Sequence, residues 1–368
     1  MILIPSLILV TILVVQNILL YLRIRFDFQN HRKKLPENLP VVSVLIAARN
    51  EEKHLPRLLA SLGRLDYPDE KLQILIADDL SSDSTLKIIK HWCDRPSRSY
   101  FAVEANQAFT RNANGKANAL AFLEQSATGE FLFFTDADCQ ANPGWIKEAV
   151  SCMDQSVGLL NGITQVKGES WLAKMQEIDW WNTLGIVKIV TDLGWPTTGM
   201  GNNMVIRREA LEKIGGFAHL PFCMTEDLEL SRSIRKAGYR VIHQVSPEIL
   251  VFTKAEPDWN ALMHQRKRWM QGVITLPLFW LVMLFFQAAF FPAVVYLLWV
   301  SPLIGISFWL LKMAVQSFFV REFSSKVTSP PNWNDLLMFD FYYLLSTSNT
   351  ILYYFWPSRI QWKSRKYR

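Results

Sequence analysis

Two nearly uncharged stretches bracket this chain, and they limit its possible folds more than any other feature. Residues 2–22 contain no charged side chain, and residues 273–320 contain one, Lys312. A helix needs roughly 20 apolar residues to cross a bilayer. The first run predicts one spanning helix within residues 1–25. The second predicts two within 273–320, broken between Pro292 and Pro302. Arg23, Arg25, Arg32, Lys33 and Lys34 follow the first run directly, which places the next residues in the cytoplasm by the positive-inside rule. No basic region precedes that run and no small-x-small site follows it, so an uncleaved anchor is expected rather than a signal peptide. A third apolar segment, 336–356, carries Asp340 and a polar patch at Ser346, Thr347, Ser348 and Asn349. Were it to cross, the basic tail 357–368 would lie outside, against the charge rule. A re-entrant or interfacial segment is therefore predicted.

The chain has 368 residues, half of them hydrophobic, and a net charge of +6. The basic residues cluster beside the apolar runs, which suits anionic lipid better than nucleic acid. Cys93, Cys139, Cys152 and Cys223 form no Cys-x-x-Cys pair and read as reduced packing residues.

Residues 40–255 read as a soluble α/β domain. Apolar, β-branched runs at 41–48 and 72–77 suit buried parallel strands, with further strands at 99–103 and 130–134. Helical spacing alternates with them at 55–62, 84–92, 116–125 and 145–153. This alternation predicts a right-handed parallel sheet with helices on both faces. Ligands gather beyond the carboxyl ends of such strands, where Arg49-Asn50-Glu51, Asp78-Asp79 and Asp136-Ala137-Asp138 lie.

No Gly-x-Gly-x-x-Gly follows the first strand and no phosphate-binding P-loop is present, so both classes of nucleotide domain are disfavoured. Asn50 and Glu51 suit hydrogen bonds to a base or ribose, as does the Asp79 carboxylate. Asp83 or Ser84 more simply caps the next helix. Asp136 and Asp138 can face one hard cation, Mg²⁺ or Mn²⁺, shared with phosphates. Such a metal neutralises a diphosphate leaving group. Cys139 beside them is expected to pack, not ligate. Lys116 opens a helix whose positive end can meet a phosphate, and the loop Gly199-Met200-Gly201-Asn202-Asn203 either lines an acceptor or merely connects. Thr225-Glu226-Asp227 begins a helix that ends at Gly238. Thr225 suits a cap, and Asp227 suits a general base for a hydroxyl.

Residues 256–272 read as an amphipathic interfacial helix. Helical spacing puts Gln265, Arg268 and Trp269 on one face and Arg266 and Lys267 on another. Gln, Arg and Trp offer a hydrogen bond, a charge and a flat platform for a sugar. Arg266 and Lys267 are expected to rest against lipid headgroups.

The ordered set Asp79, Asp136-x-Asp138, Thr225-Glu226-Asp227 and Gln265-x-x-Arg268-Trp269 resembles the family 2 glycosyltransferases of GT-A fold. It is most similar to the membrane-bound branch of cellulose, chitin and hyaluronan synthases and ceramide glucosyltransferases. The similarity covers about residues 40–275 and extends to Gly115-Lys116, to Arg207-Arg208-Glu209-Ala210-Leu211 and to the tail Trp362-Lys363-Ser364-Arg365-Lys366-Tyr367. In that tail the branch often has Gly where Ser364 stands. The resemblance implies nucleotide contact for Asp79, diphosphate contact for Lys116, and nucleotide and metal contact for Asp136 and Asp138. It implies a catalytic base at Asp227 and acceptor or diphosphate contact for Glu226, Gln265, Arg268 and Trp269. The implied reaction is one inverting displacement, giving a β-linkage from a UDP-sugar, in a multi-pass protein of a bacterial inner membrane. Few spans leave little wall for an export channel, so a lipid or lipid-linked acceptor is expected. A short oligosaccharide or polysaccharide synthase is the alternative, and a non-catalytic nucleotide-sugar-binding subunit is a further one.

Overall fold

The computed structural model describes residues 2–94, 99–104, 115–357, 360–363 and 365–367. Helix α1 (Leu3–Phe26) precedes an alternating series: β1 (Val42–Ala48), α2 (Leu55–Leu62), β2 (Leu72–Asp78), α3 (Thr85–Cys93), β3 (Ser99–Glu104), α4 (Gly115–Ser126) and β4 (Phe131–Phe134). Next come β5 (Gln140–Ala141), α5 (Trp145–Cys152), β6 (Val157–Asn161), β7 (Thr164–Lys167) and the long α6 (Trp171–Asp192). β8 (Met204–Arg207), α7 (Arg208–Lys213), α8 (Glu226–Lys236), β9 (Arg240–His243) and β10 (Val251–Lys254) complete the domain. Helices α9 (Trp259–Val273), α10 (Leu278–Val300), α11 (Pro302–Ser324) and α12 (Trp333–Phe355) follow, then strands β11 (Ile360–Trp362) and β12 (Arg365–Tyr367).

The main sheet has the order β3-β2-β1-β4-β8-β6-β9. Alternate side chains feed two cores, as a pleated strand requires. Val44, Ile46, Ile74, Ile76, Phe131 and Phe133 face one, while Leu45, Leu75, Ala77, Leu132 and Phe134 face the other. The first four strands are parallel, as their sequence predicts. The sheet as a whole is mixed, not parallel: β8 runs antiparallel to β4 and β6. It enters after the α6 excursion, and strand direction leaves no local mark in the sequence. A small sheet β5-β10-β7 places β10 beside the end of β4.

Helices α1, α10 and α11 are long and apolar enough to cross a membrane; among the described residues no other helix is. The break between the last two falls at Ser301, with Pro302 opening α11 and Pro292 held inside α10. Val10 and Leu13 of α1 pack on Phe290, Val294 and Leu297 of α10, with Phe308 and Trp309 of α11 against them. The 336–356 segment forms one continuous helix, α12. Trp333 at its start packs on Phe318, near the end of α11 where Arg25 pairs with Glu322 at 3.4 Å. At its far end the Trp356 carbonyl accepts from Lys267 Nζ of α9 at 2.6 Å. Both ends thus lie on the domain's side, while Leu337, Phe341, Leu345, Leu352 and Phe355 stay exposed along one stripe.

Asp340 of α12 pairs with Lys312 of α11, each only 2% exposed. Removing one partner strands a buried charge, which typically costs about 3–5 kcal/mol, whereas replacing both is often neutral. Lys312→Met is therefore expected to lower the melting temperature in detergent, and Lys312→Met with Asp340→Leu to recover most of it. A double variant no better than the single one would count against this pair as the cause.

Candidate active site

The ends of β1, β2, β4 and β10 and the starts of α4 and α8 supply the site residues. β4 ends at Phe134, and Asp136 and Asp138 follow in the turn beyond it. Lys116, in the first turn of α4, places its Nζ 2.6 Å from Asp136 Oδ1 and 3.2 Å from Glu226 Oε1. One ammonium therefore joins the end of β4 to the start of α8. These carboxylates, with Asp227, push the Lys116 pKa upward against its burial.

Asp227 follows Glu226 in the first turn of α8. Its Oδ2 accepts from Gly201 N–H at 3.0 Å and its Oδ1 from Leu228 N–H at 2.8 Å. Burial first, and the charge of Glu226 second, push its carboxyl up to about 6. The 199–203 loop braces this residue. A Cβ at Gly199 would lie 2.2 Å from the Asp227 carbonyl oxygen, and one at Gly201 would lie 3.1 Å from Lys116 Nζ. Only a side-chain-free backbone fits between the two. Thr225 holds the N-cap position, but its side chain makes no capping bond.

Asp138 Oδ2 lies 3.5 Å from Lys254 Nζ at the end of β10. Burial, then Asp136, raise its pKa. Lys254 also reaches Glu51 Oε2 at 3.7 Å, and Lys363 pairs with the other Glu51 oxygen. Glu51, at 2% exposure, thus anchors two lysines. Asn50 sits in the left-handed region at φ 51, which Asn tolerates. Its side-chain oxygen accepts from Ser82 N–H at 2.8 Å, clasping the loop after β1 to the loop after β2. Asp79 is buried at the end of β2, its N–H bonded to the Ala48 carbonyl at 2.8 Å. Ser84 holds the N-cap position of α3 without a side-chain cap bond, and the Asp83 carboxylate before it accepts from Thr85 N–H at 3.0 Å.

On α9, Gln265 Nε2 donates to Glu256 Oε1 at 2.7 Å, and Trp269 packs on Trp180 with centroids 5.3 Å apart. Glu256 is raised by burial and feels Lys254, Arg268 and Asp138 in turn, so it links this helix to the strand-end carboxylates. Arg266 and Lys267 do not face lipid headgroups. Arg266 pairs with Asp179 of α6, and Lys267 is 5% exposed against α12. Sequence reasoning missed Lys254 and Glu256, because single charges flanking a strand carry no motif.

The donor set Asp136 and Asp138 suits a hard cation, and their side chains keep 36% and 20% exposure. Among the described residues no group of three or more His, Cys, Asp or Glu surrounds one point. A cation there would complete its shell with phosphate oxygens and water, as Mg²⁺-type sites do. Cys139 is buried and its thiol is pushed well up, which leaves it a packing residue.

The model of glycosyl transferase family 21 matches residues 6–368. The chain belongs to that family, whose GT-A-like domain lies in the family 2 superfamily. A β-monoglucosyldiacylglycerol synthase of Trichormus variabilis is 27% identical over 256 residues, 66% of this chain and 51% of that protein. A poly-β-1,6-N-acetyl-D-glucosamine synthase of Staphylococcus epidermidis is 27% identical over 236 residues, 63% of this chain and 54% of that protein. The chain thus spans about half the length of these curated relatives. Among solved structures, a mannosyltransferase of Pyrobaculum calidifontis in complex with GDP-Man and Mn²⁺ matches with TM-score 0.62 and 17% identity. It covers 97% of this chain and 99% of that one. At that identity the likeness speaks for the fold, a GT-A α/β glycosyltransferase domain.

Proposed function

We propose that this chain is an inverting glycosyltransferase moving a sugar from a nucleotide diphosphate sugar, UDP-linked, to a lipid or lipid-linked hydroxyl at the membrane surface. The observation that carries the reading is Lys116. Its ammonium gathers Asp136, Glu226 and Asp227, so a diphosphate-handling group and a base lie around one cation. Asp227 takes the acceptor's hydroxyl proton, the oxygen attacks the anomeric carbon from the face opposite the diphosphate, and the bond to the diphosphate breaks. Lys116 and Arg268 hold the departing charge. Asp136 and Asp138 hold a divalent cation, Mg²⁺ or Mn²⁺, which neutralises the same charge when bound. Gln265, Glu226 and Trp269 orient the acceptor, and Asp79 with Asn50 lies on the nucleotide side.

The acceptor reading rests on the membrane part. Helices α1, α10 and α11 pack on one another, and polar side chains of α11 pair with the helices beside it, Lys312 with Asp340 of α12 and Gln316 with Asn182 of α6. Such packing suits a lipid acceptor better than an export channel. The name of the Trichormus relative points the same way. In this reading the domain faces the cytoplasm of a bacterial cell, with α12 lying in the inner-membrane interface. The test is product partition. Full-length protein in phospholipid vesicles containing diacylglycerol is given labelled UDP-glucose, UDP-N-acetylglucosamine or GDP-mannose with Mg²⁺ or Mn²⁺. Label in the organic extract is the expected result. Label in water-soluble oligosaccharide or in polymer would overturn the lipid acceptor.

A further inference from the structure

Helix α6 grips α9 with one stripe of its own side chains. Gln176, Asp179 and Trp180 stand at i, i+3 and i+4, neighbours on one helical face. Asp179 and Trp180 hold the Gln265–Trp269 segment directly, and Gln176 holds Glu256, which Gln265 bonds. Gln176 and the Glu256 backbone exchange two hydrogen bonds: Glu256 N–H donates to Gln176 Oε1 at 2.9 Å, and Gln176 Nε2 donates to the Glu256 carbonyl at 3.0 Å. Glu256 in turn accepts from Gln265. Asp179 pairs with Arg266, whose guanidinium also donates to the Tyr342 hydroxyl at 3.2 Å. Trp180 lies against Trp269, tilted by 37°.

About half a turn round α6, Gly185 meets the membrane helix α11. A Cβ there would fall 2.6 Å from the Phe319 ring and 3.2 Å from Phe323. Asn182 nearby accepts from Gln316 Nε2 of α11 at 3.1 Å. Helix α6 is therefore clamped between α11 and α9. A rigid element held on both sides fixes the rotation and height of whatever it grips.

We propose that Asp179 and Trp180 are positioning residues: they set the rotation of α9 and so aim Trp269 and Gln265 at the reacting sugar. This rests on the reading of Gln265, Arg268 and Trp269 as acceptor and diphosphate contacts. Neither Asp179 nor Trp180 bonds to the strand-end carboxylates, which hold the nucleotide in this reading; Arg268, carried on α9, acts on the charge that develops as the diphosphate departs, so nucleotide affinity is expected to change little. A misaimed platform costs turnover instead, because small displacements of orienting groups cost large factors in rate.

The experiment compares Trp180→Ala, Trp180→Phe, Asp179→Asn and Trp269→Ala in the full-length protein in vesicles. It uses whichever of UDP-glucose, UDP-N-acetylglucosamine and GDP-mannose is consumed fastest, by transfer or hydrolysis. The parallel readout is calorimetric affinity for the matching nucleoside diphosphate. Trp180→Ala is expected to lower kcat by about 10-fold or more with affinity within about 2-fold, a split that marks lost transition-state alignment. Trp180→Phe keeps a flat ring and is expected to recover kcat to within about 3-fold. Should Trp180→Ala fail to fold, Asp179→Asn and Trp180→Phe carry the test, with a loss in the first and near-recovery in the second. Wild-type kcat in Trp180→Ala or Asp179→Asn beside an inactive Trp269→Ala overturns the positioning role and leaves the site reading intact. An active Trp269→Ala overturns the site reading itself. Equal losses of kcat and nucleotide affinity in Trp180→Ala mark general disruption and also overturn the proposal.

Discussion

Asp227→Asn is expected to lower kcat by about 10²–10⁴-fold, the usual contribution of a positioned base, with nucleoside diphosphate affinity nearly unchanged. Asn can still accept from Gly201 N–H, so the loop that Asp227 organises should stay in place while the proton acceptor is gone. The same residue sets a pH signature. Burial and Glu226 hold its carboxyl near 6, above the usual value of about 4. Below that pH the carboxyl is protonated and cannot take the acceptor's proton. The acid limb of kcat/KM should therefore fall about tenfold per pH unit below 6, since kcat/KM reports groups of the free enzyme. A limb near pH 4, or unchanged kcat in Asp227→Asn, would contradict the base assignment.

Asp138→Ala has the second large effect. The substitution removes one of two carboxylates at the end of β4 and leaves Lys254 facing Glu51 alone. Metal-dependent UDP binding is expected to weaken by at least about 100-fold, since even outer partners of metal ligands are worth 10–100-fold. Calorimetry with Mg²⁺ or Mn²⁺, and again with chelator, separates metal-linked from metal-free affinity. Equal affinities for wild type and variant with metal present would falsify the role of this pair.

How far the chain could be read from its residues differs from element to element. The first four strands and their helices were legible because unbroken apolar runs end in polar clusters at fixed intervals. The strand-end carboxylates were legible for the same reason. Helix α6 was not, because its residues are buried against the sheet, α9 and α11 at once, which erases the single apolar stripe that marks a surface helix. Arg266 and Lys267 misled in the opposite sense. Basic residues beside an apolar run read as snorkelling, yet their partners are Asp179 and the Trp356 carbonyl, far away in sequence. Glu51 was assigned to the right neighbourhood, but its carboxylate is engaged by Lys254 and by Lys363 at the other end of the chain. Local pattern identifies which groups sit at strand ends; long-range pairing decides which of them stay free to meet a substrate.

Label transfer decides whether this chain moves a sugar or only binds its nucleotide. Full-length protein in diacylglycerol-containing vesicles, given a nucleotide diphosphate sugar labelled in the sugar, should release nucleoside diphosphate in step with a lipid-extractable β-glycoside, its configuration read by NMR. Asp227→Asn should bind the same nucleotide and yield neither product. Tight nucleotide binding by the wild type with no transfer from any donor, or an α-linked product, would contradict the account.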